Sequence, residues 1–123
     1  LKFTKEHEWV EIKDGLAIVG ITDYAQHSLG DIVSIELPKT GSTIKQGQSL
    51  GVVDSMKASS DVYSPVSGEV VEINKELESN PQWLNESPQE KGWMAKIRLA
   101  NPAEFDALMS EEEYKNYTGG LGK

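Results

Sequence analysis

The segment GDIVSIE, Gly30 to Glu36, returns 38 residues later as GEVVEIN, Gly68 to Asn74, matching in residue class. The match runs back far enough to set Asp23 against Asp61. Two copies are too few for a solenoid, which needs about three or more stacked units. They suit a chain whose halves each carry one apolar sheet face, because each half then covers the face the other cannot bury alone. A two-fold pseudo-symmetric β sandwich or flattened barrel is therefore expected. The residues between the copies would form a hairpin whose turn projects from one end.

Short strands with turn punctuation fill the rest of the pattern. Trp9, Val10 and Ile12, then Asp14-Gly15, then Leu16, Ile18, Val19 and Ile21 predict a hairpin over residues 8–21, since Asp-Gly is the strongest short hairpin cue. Thr22 to Leu29 predicts a short helical turn, with Thr22 or Asp23 as its cap and Gly30 as its left-handed exit. Further strands are expected over IVSIEL, Ile32 to Leu37, and LGVVDSM, after the Lys45-Gln46-Gly47-Gln48 turn. Asn101-Pro102 predicts a helix start, with Phe105, Leu108 and Met109 on one face and Ser110 with Glu113 as a capping box. Gly119-Gly120 closes that pattern and leads into a tail. The expectation is one domain over residues 1–123, with a β core to about residue 100 and a helical segment over about 101–118.

Composition restricts the function. A net charge of −8 argues against nucleic acid and anionic membranes as partners and favours a partner with a basic docking face. No run approaches the roughly 20 apolar residues that cross a bilayer, and LKFTKEHEW lacks the apolar stretch of a secretory signal, so a soluble chain is expected. Without cysteine there is no disulfide and no thiolate nucleophile, and any sulfur chemistry must come from an attached group. The two histidines, His7 and His27, do not make a zinc motif, so no metal site is expected. No GxSxG is present, which gives no catalytic residue to name and favours a non-enzyme. His7 reads as a solvated strand-edge residue, His27 as a partly exposed turn residue, and Trp9, Trp83 and Trp93 as core anchors.

One lysine stands apart. In VVDSMKASSDVYSPVSGEVVEI, Lys57 sits between two strand-like runs, followed by the small residues Ala58, Ser59 and Ser60. As an ordinary turn residue it needs no function, because lysines are mostly exposed and turns are mostly polar. As a substrate it meets what a swinging arm requires: an exposed amine on a projecting turn, with clearance for a modifying enzyme to close over it. A lysine extended by an eight-carbon acyl chain reaches roughly 14 Å. The spacing alone leaves both readings open.

Four separated segments carry a resemblance that decides further. EHEWV at Glu6 to Val10, VGITDYAQHSLGDIV at Val19 to Val33, DSMKASSDVYSPVSGEVVEIN at Asp54 to Asn74 and GWMAKI at Gly92 to Ile97 resemble, in order, the glycine cleavage system H-protein family. The resemblance implies a mainly β, lipoyl-type barrel-sandwich hybrid with C-terminal helices, carrying lipoate in amide linkage on Lys57. It implies a carrier that takes an aminomethyl group from glycine decarboxylase, the P protein, and gives it to the aminomethyltransferase, the T protein. Dihydrolipoamide dehydrogenase, the L protein, would then reoxidise the arm, and a lipoate-attaching enzyme would install it. It also implies a cleft for the loaded arm that includes Glu8 and Asp61. The location implied is bacterial cytoplasm, or the mitochondrial matrix for a trimmed eukaryotic precursor.

The family pattern ESVKA stands here as DSMKA, with Asp54 and Met56 as conservative changes. Biotin carriers place methionine on both sides of their lysine, whereas Ala58 follows Lys57, which favours lipoate. The family's histidine before Leu-Gly is replaced by Ser28, with His27 one place earlier. The alternatives are a biotinyl carrier, which leaves EHEWV and the terminal helices unexplained, and an interaction module without lipoate.

Overall fold

A computed structural model describes residues 1–119; Gly120 to Lys123, where the sequence sets the end of the helix stop and the tail, lie outside the described residues. The elements run β1 (Lys2–Phe3), β2 (Glu8–Lys13), β3 (Leu16–Ile21), α1 (Asp23–Leu29), β4 (Ile32–Glu36), β5 (Thr43–Ile44), β6 (Ser49–Ser55) and β7 (Ser59–Tyr63). They continue with β8 (Gly68–Ile73), α2 (Glu76–Ser79), α3 (Trp83–Glu86), β9 (Ala95–Leu99), α4 (Pro102–Asp106) and α5 (Glu111–Gly119). Two antiparallel sheets form, ordered β1-β2-β3-β9-β8-β5 and β4-β6-β7.

The internal repeat is visible in this topology. The run β3-β9-β8 of the large sheet has the connectivity of β7-β6-β4 in the small one, so the two halves are related by a pseudo-two-fold. Each half even carries the same irregularity: the register slips between Ile32 and Ser34 against β6, and between Val70 and Glu72 against β9. Those two bulges are one repeat apart, and a bulge bends its strand and raises the local twist. The backward extension of the repeat fails, however. Asp23 opens α1, whereas Asp61 lies inside β7, because the first half inserts a helix between β3 and β4 where the second half has only the short link from Tyr63 to Gly68.

Local chemistry accounts for the joints. Asp14 and Gly15 both have positive φ, 54° and 78°, which gives the β2–β3 hairpin the turn twist its strands need. Thr22 caps α1 by accepting from the Ala25 N–H at 3.2 Å, and Gly30 leaves the helix at φ 82°. Asn101 caps α4 through the Ala103 N–H, with Pro102 in the first turn. That helix stops at Asp106, so Leu108 and Met109 fall outside the helical face the spacing predicts. The backbone of Met109 pairs instead with Phe3, at 2.8 and 3.0 Å, which takes the groups a continuing helix would use. Ser110 and Glu113 then form the capping box, each side chain accepting from the other's backbone N–H, and α5 begins.

Burial follows the strand alternation. Val10, Ala17, Val19, Val70, Ala95 and Ile97 fill one cluster, and Ile32, Ile35, Val53 and Val62 of the small sheet join Leu77, Leu84 and Met94 in another. Trp9 anchors a third with Phe3 and Tyr114, and its ring lies over Gly20, where a Cβ would approach it to 2.8 Å. Trp83 and Trp93 sit at the rim of the core: both are half-buried, packed against the second and third clusters, with Lys91 and Lys96 over their rings. His7 departs from the sequence reading. It is half-buried at φ 69°, stacked on Tyr24 and bonded through Nδ1 to the Tyr114 hydroxyl at 2.8 Å. His27 is exposed on α1. The four-residue helices α2 and α3 are not foreseen by the sequence, since one turn leaves no periodicity to read. No helix among the described residues is long and apolar enough to cross a membrane.

The strand crossing at Gly68 provides a test of this packing. A Cβ there would collide with the Arg98 carbonyl oxygen and meet Ile97 Cγ2 at 2.7 Å. Gly68→Ala should therefore lose about 2 kcal/mol or more in urea denaturation, the cost of overpacking against backbone. A loss below about 0.5 kcal/mol would contradict the close β8–β9 approach.

Candidate functional site

The β6–β7 hairpin is rooted by Val53 and Val62, both buried in the core, and its turn carries Met56, Lys57 and Ala58, all exposed. Ser55 organises the turn. Its Oγ accepts from the Lys57 N–H at 3.3 Å and the Ala58 N–H at 3.1 Å, while its own N–H donates to the Ala58 carbonyl at 2.8 Å. A serine hydroxyl closing onto backbone two and three residues ahead replaces the hydrogen bonds a tight turn leaves unmade. One residue back along β6, Asp54 accepts from Ser59 Oγ and from Ser34 Oγ, the latter at 3.0 Å, and so ties all three strands of the small sheet together beneath the tip. Those hydroxyl bonds, Ser59 first, hold the Asp54 carboxyl below its ordinary pKa.

The tip also leans on the preceding turn. The Met56 N–H donates to the Asp31 carbonyl at 2.9 Å. The Lys57 stem passes over Gly30, where a Cβ would lie 3.7 Å from Lys57 Cε. Lys57 is thus an exposed primary amine on a turn whose backbone is fixed from two sides. Such an amine fits an acyl group attached in amide linkage, since nothing polar has to be desolvated to reach it and Ala58 and Ser59 leave it clear.

At the other end of β7 lies a cleft of about 270 Å³, walled by Thr4 and Glu8, by Tyr63 to Pro65, and by Ala107 to Met109. Glu8 is 3% exposed there. Its Oε1 accepts from Thr4 Oγ1 at 2.6 Å and its Oε2 from the Tyr63 N–H at 3.1 Å. Burial raises its pKa to about 7 from an ordinary 4.5, against the lowering pull of the Thr4 and Tyr63 bonds, while Glu6 adds a smaller push upward. Asp61 is exposed on β7, two residues before Tyr63 on the same side of the strand, and accepts from Ser49 Oγ at 3.0 Å. Asp61 does not line the cleft. Glu8, on β2, thus meets β7 at Tyr63, two residues beyond Asp61, while Lys57 stands at most about 20 Å from Tyr63 at roughly 3.3 Å per residue. Ser55, Thr4 and Tyr63 were not picked out from the sequence. Ser55 had a signal in its place at the head of a tight turn; the other two act through a contact between distant segments.

Two antiparallel sheets related by a pseudo-two-fold, with an exposed lysine on the β6–β7 hairpin of the smaller one, define a lipoyl-type barrel-sandwich hybrid of the swinging-arm class. The glycine cleavage H-protein family model matches residues 1–119, and the chain belongs to that family. Among its relatives, the glycine cleavage system H protein of Carboxydothermus hydrogenoformans is 55% identical over 94% of this chain and 88% of its own length. That of Caulobacter vibrioides is 54% identical over 98% of this chain and 100% of its own. The crystal structure of a glycine cleavage system H protein from Mycobacterium marinum superposes with a TM-score of 0.86 at 33% identity, covering 99% of this chain and 96% of that one. The match takes in EHEWV and the C-terminal helices, the segments a biotinyl carrier leaves unexplained.

Glu8 makes the cleft pH-sensitive. The folded chain holds the Glu8 proton more tightly than the unfolded chain does, so the stability this contributes is present below about pH 4.5 and is lost as pH rises through about 7. Urea denaturation between about pH 5 and about pH 8 should show wild type losing up to about 2 kcal/mol relative to Glu8→Gln, whose amide does not titrate. Parallel curves would place Glu8 in water rather than in the cleft wall.

Proposed function

We propose that this chain is the lipoyl carrier of a glycine cleavage system, with lipoate in amide linkage on Lys57. It is a non-catalytic subunit whose arm visits the P, T and L proteins in turn. The observation that carries the reading is the fixed turn that presents Lys57: the backbone is braced by Ser55 and Asp31 while the amine stands in solvent. Lys57 Nζ, as the neutral amine, attacks the activated carboxyl of lipoate held by the attaching enzyme, loses one proton and expels the activating group with its electron pair. The bound lipoyl disulfide supplies what a cysteine-free chain lacks, a centre that accepts carbon and electrons together.

The protein's own residues then bind and shelter. Laid along β7, an arm of roughly 14 Å from Lys57 would reach the level of Asp61, about four residues on, with Glu8 two residues further along at Tyr63. A carboxylate accepting from an ammonium forms a charge-assisted hydrogen bond, and walls that exclude water strengthen it. Glu8 must be ionised for this. With its pKa at about 7, an approaching ammonium favours the charged form, and Glu8 releases its proton to solvent as the cation settles. The net charge of −8 suits partners with basic docking faces.

Lys57→Arg should abolish lipoylation and glycine cleavage while leaving the unfolding free energy within about 0.5 kcal/mol of wild type, because an exposed tip side chain contributes little to stability. Intact-mass analysis after incubation with lipoate, ATP and the attaching enzyme reads the result. A lipoyl mass retained in Lys57→Arg would place the attachment elsewhere, and a biotinyl mass on wild type isolated from cells that make both groups would replace the reading.

A further inference from the structure

Both halves depart from the pseudo-two-fold by an insertion. The first inserts α1 between β3 and β4; the second places α2 and α3 between β8 and β9. These two insertions meet at one side chain. Asn85, on α3, donates from Nδ2 to the Gly30 carbonyl at 2.8 Å and to Gln26 Oε1 at 2.9 Å, and accepts at Oδ1 from the Ile32 N–H at 2.9 Å. The orientation of the amide is fixed by its partners, since reversing it would face a donor to the Ile32 N–H. The bonds to Gly30 and Ile32 grip both sides of Asp31, and the third holds Gln26 of α1. The Asp31 carbonyl in turn accepts from Met56, and Gly30 underlies the Lys57 stem.

We propose that Asn85 is a positioning residue for lipoylation of Lys57. It sets the Gly30–Ile32 turn, and through Asp31 and Gly30 that turn sets where the Lys57 amine stands when the attaching enzyme arrives. The inference rests on the reading of Lys57 as the lipoyl site. The hairpin is held on its own side by Ser55 and Asp54, but those bonds lie within the small sheet and turn with it. The Met56–Asp31 bond ties the tip to the α1–β4 turn, and Asn85 ties that turn to a helix from the other half. Misplacing a reacting group by about 1 Å can cost up to about a hundredfold in rate, so loss of the tie should appear in the transfer step and not only in stability.

Asn85→Asp tests this with little change of shape, because it keeps the acceptor for Ile32 and loses both donors; Asn85→Ala removes all three bonds. With lipoate, ATP and a lipoate-attaching enzyme, the folded variants should show kcat for transfer to apo-protein reduced about tenfold with KM within about twofold. The Met56 amide should exchange with solvent about tenfold faster while the Val53 amide is unchanged. Asn85→Gln, which retains the amide, should recover part of the rate. A residue that only stabilises the fold would lower the denaturation midpoint and leave kcat of the folded protein and the Met56 rate as in wild type, and that result overturns the proposal. If the variants do not fold, native-state exchange of the wild type decides: Ile32 and Met56 amides must open together at low denaturant, and separate openings overturn the coupling. A wild type without lipoyl mass on Lys57 would defeat the lipoyl reading itself, whereas a normally lipoylated wild type with indifferent Asn85 variants defeats only the positioning role.

Discussion

A three-stranded antiparallel unit with one apolar face cannot bury that face by itself, and the two units of this chain settle the matter by covering each other. Ile35, Val53 and Val62 of the small sheet pack with Ile21 of β3 and with Leu77, Leu84 and Met94, while Leu50 of β6 joins Val19, Val70 and Ile97 of the large sheet. Because side chains alternate along a strand, fixing Val53 and Val62 in the core fixes Asp54 and Asp61 outward. The direction in which the β6–β7 turn leaves the body is thereby fixed as well. A slip of one residue in either strand would bury Asp54 or Asp61 and expose a valine, so the packing of the core and the presentation of Lys57 are one constraint.

The tip and the cleft are built on opposite principles. At the tip, polar side chains close local backbone bonds and leave the amine in water, an arrangement with little desolvation cost. At the cleft, a carboxyl is taken out of water with two hydrogen bonds, and its pKa rises to about 7 in consequence. His7, beside Glu8, holds a left-handed backbone at φ 69°, a conformation that costs of order 1–3 kcal/mol in a residue other than glycine and is supported by the Tyr24 stack and the Tyr114 hydroxyl. A buried acid and a strained neighbour are features that stability alone does not favour.

Much of this was legible in the sequence because it rests on local chemistry. Asp14-Gly15, the Thr22 and Asn101 caps and the Ser110–Glu113 box each declare themselves within four residues, and the repeat declares the two halves. What escaped depends on contacts between distant segments. The break after α4 exists because Phe3 pairs with Met109; the burial of His7 depends on Tyr114 from the far end of the chain; Asn85 acts on a turn more than fifty residues away. The false extension of the repeat to Asp23 and Asp61 has the same origin, since residue class cannot tell a helix start from a mid-strand position. Lys57 was visible as an exposed lysine on a turn, but its bracing was not.

In the proposed carrier the body holds the attachment point still, so that only the arm travels. Backbone ¹⁵N relaxation on the lipoylated protein measures this at Met56, Lys57 and Ala58. Order parameters near those of the flanking strands, about 0.85, are predicted for all three amides. Values below about 0.6 at the tip, with β6 and β7 rigid, would mean that the turn itself swings and would contradict the claim.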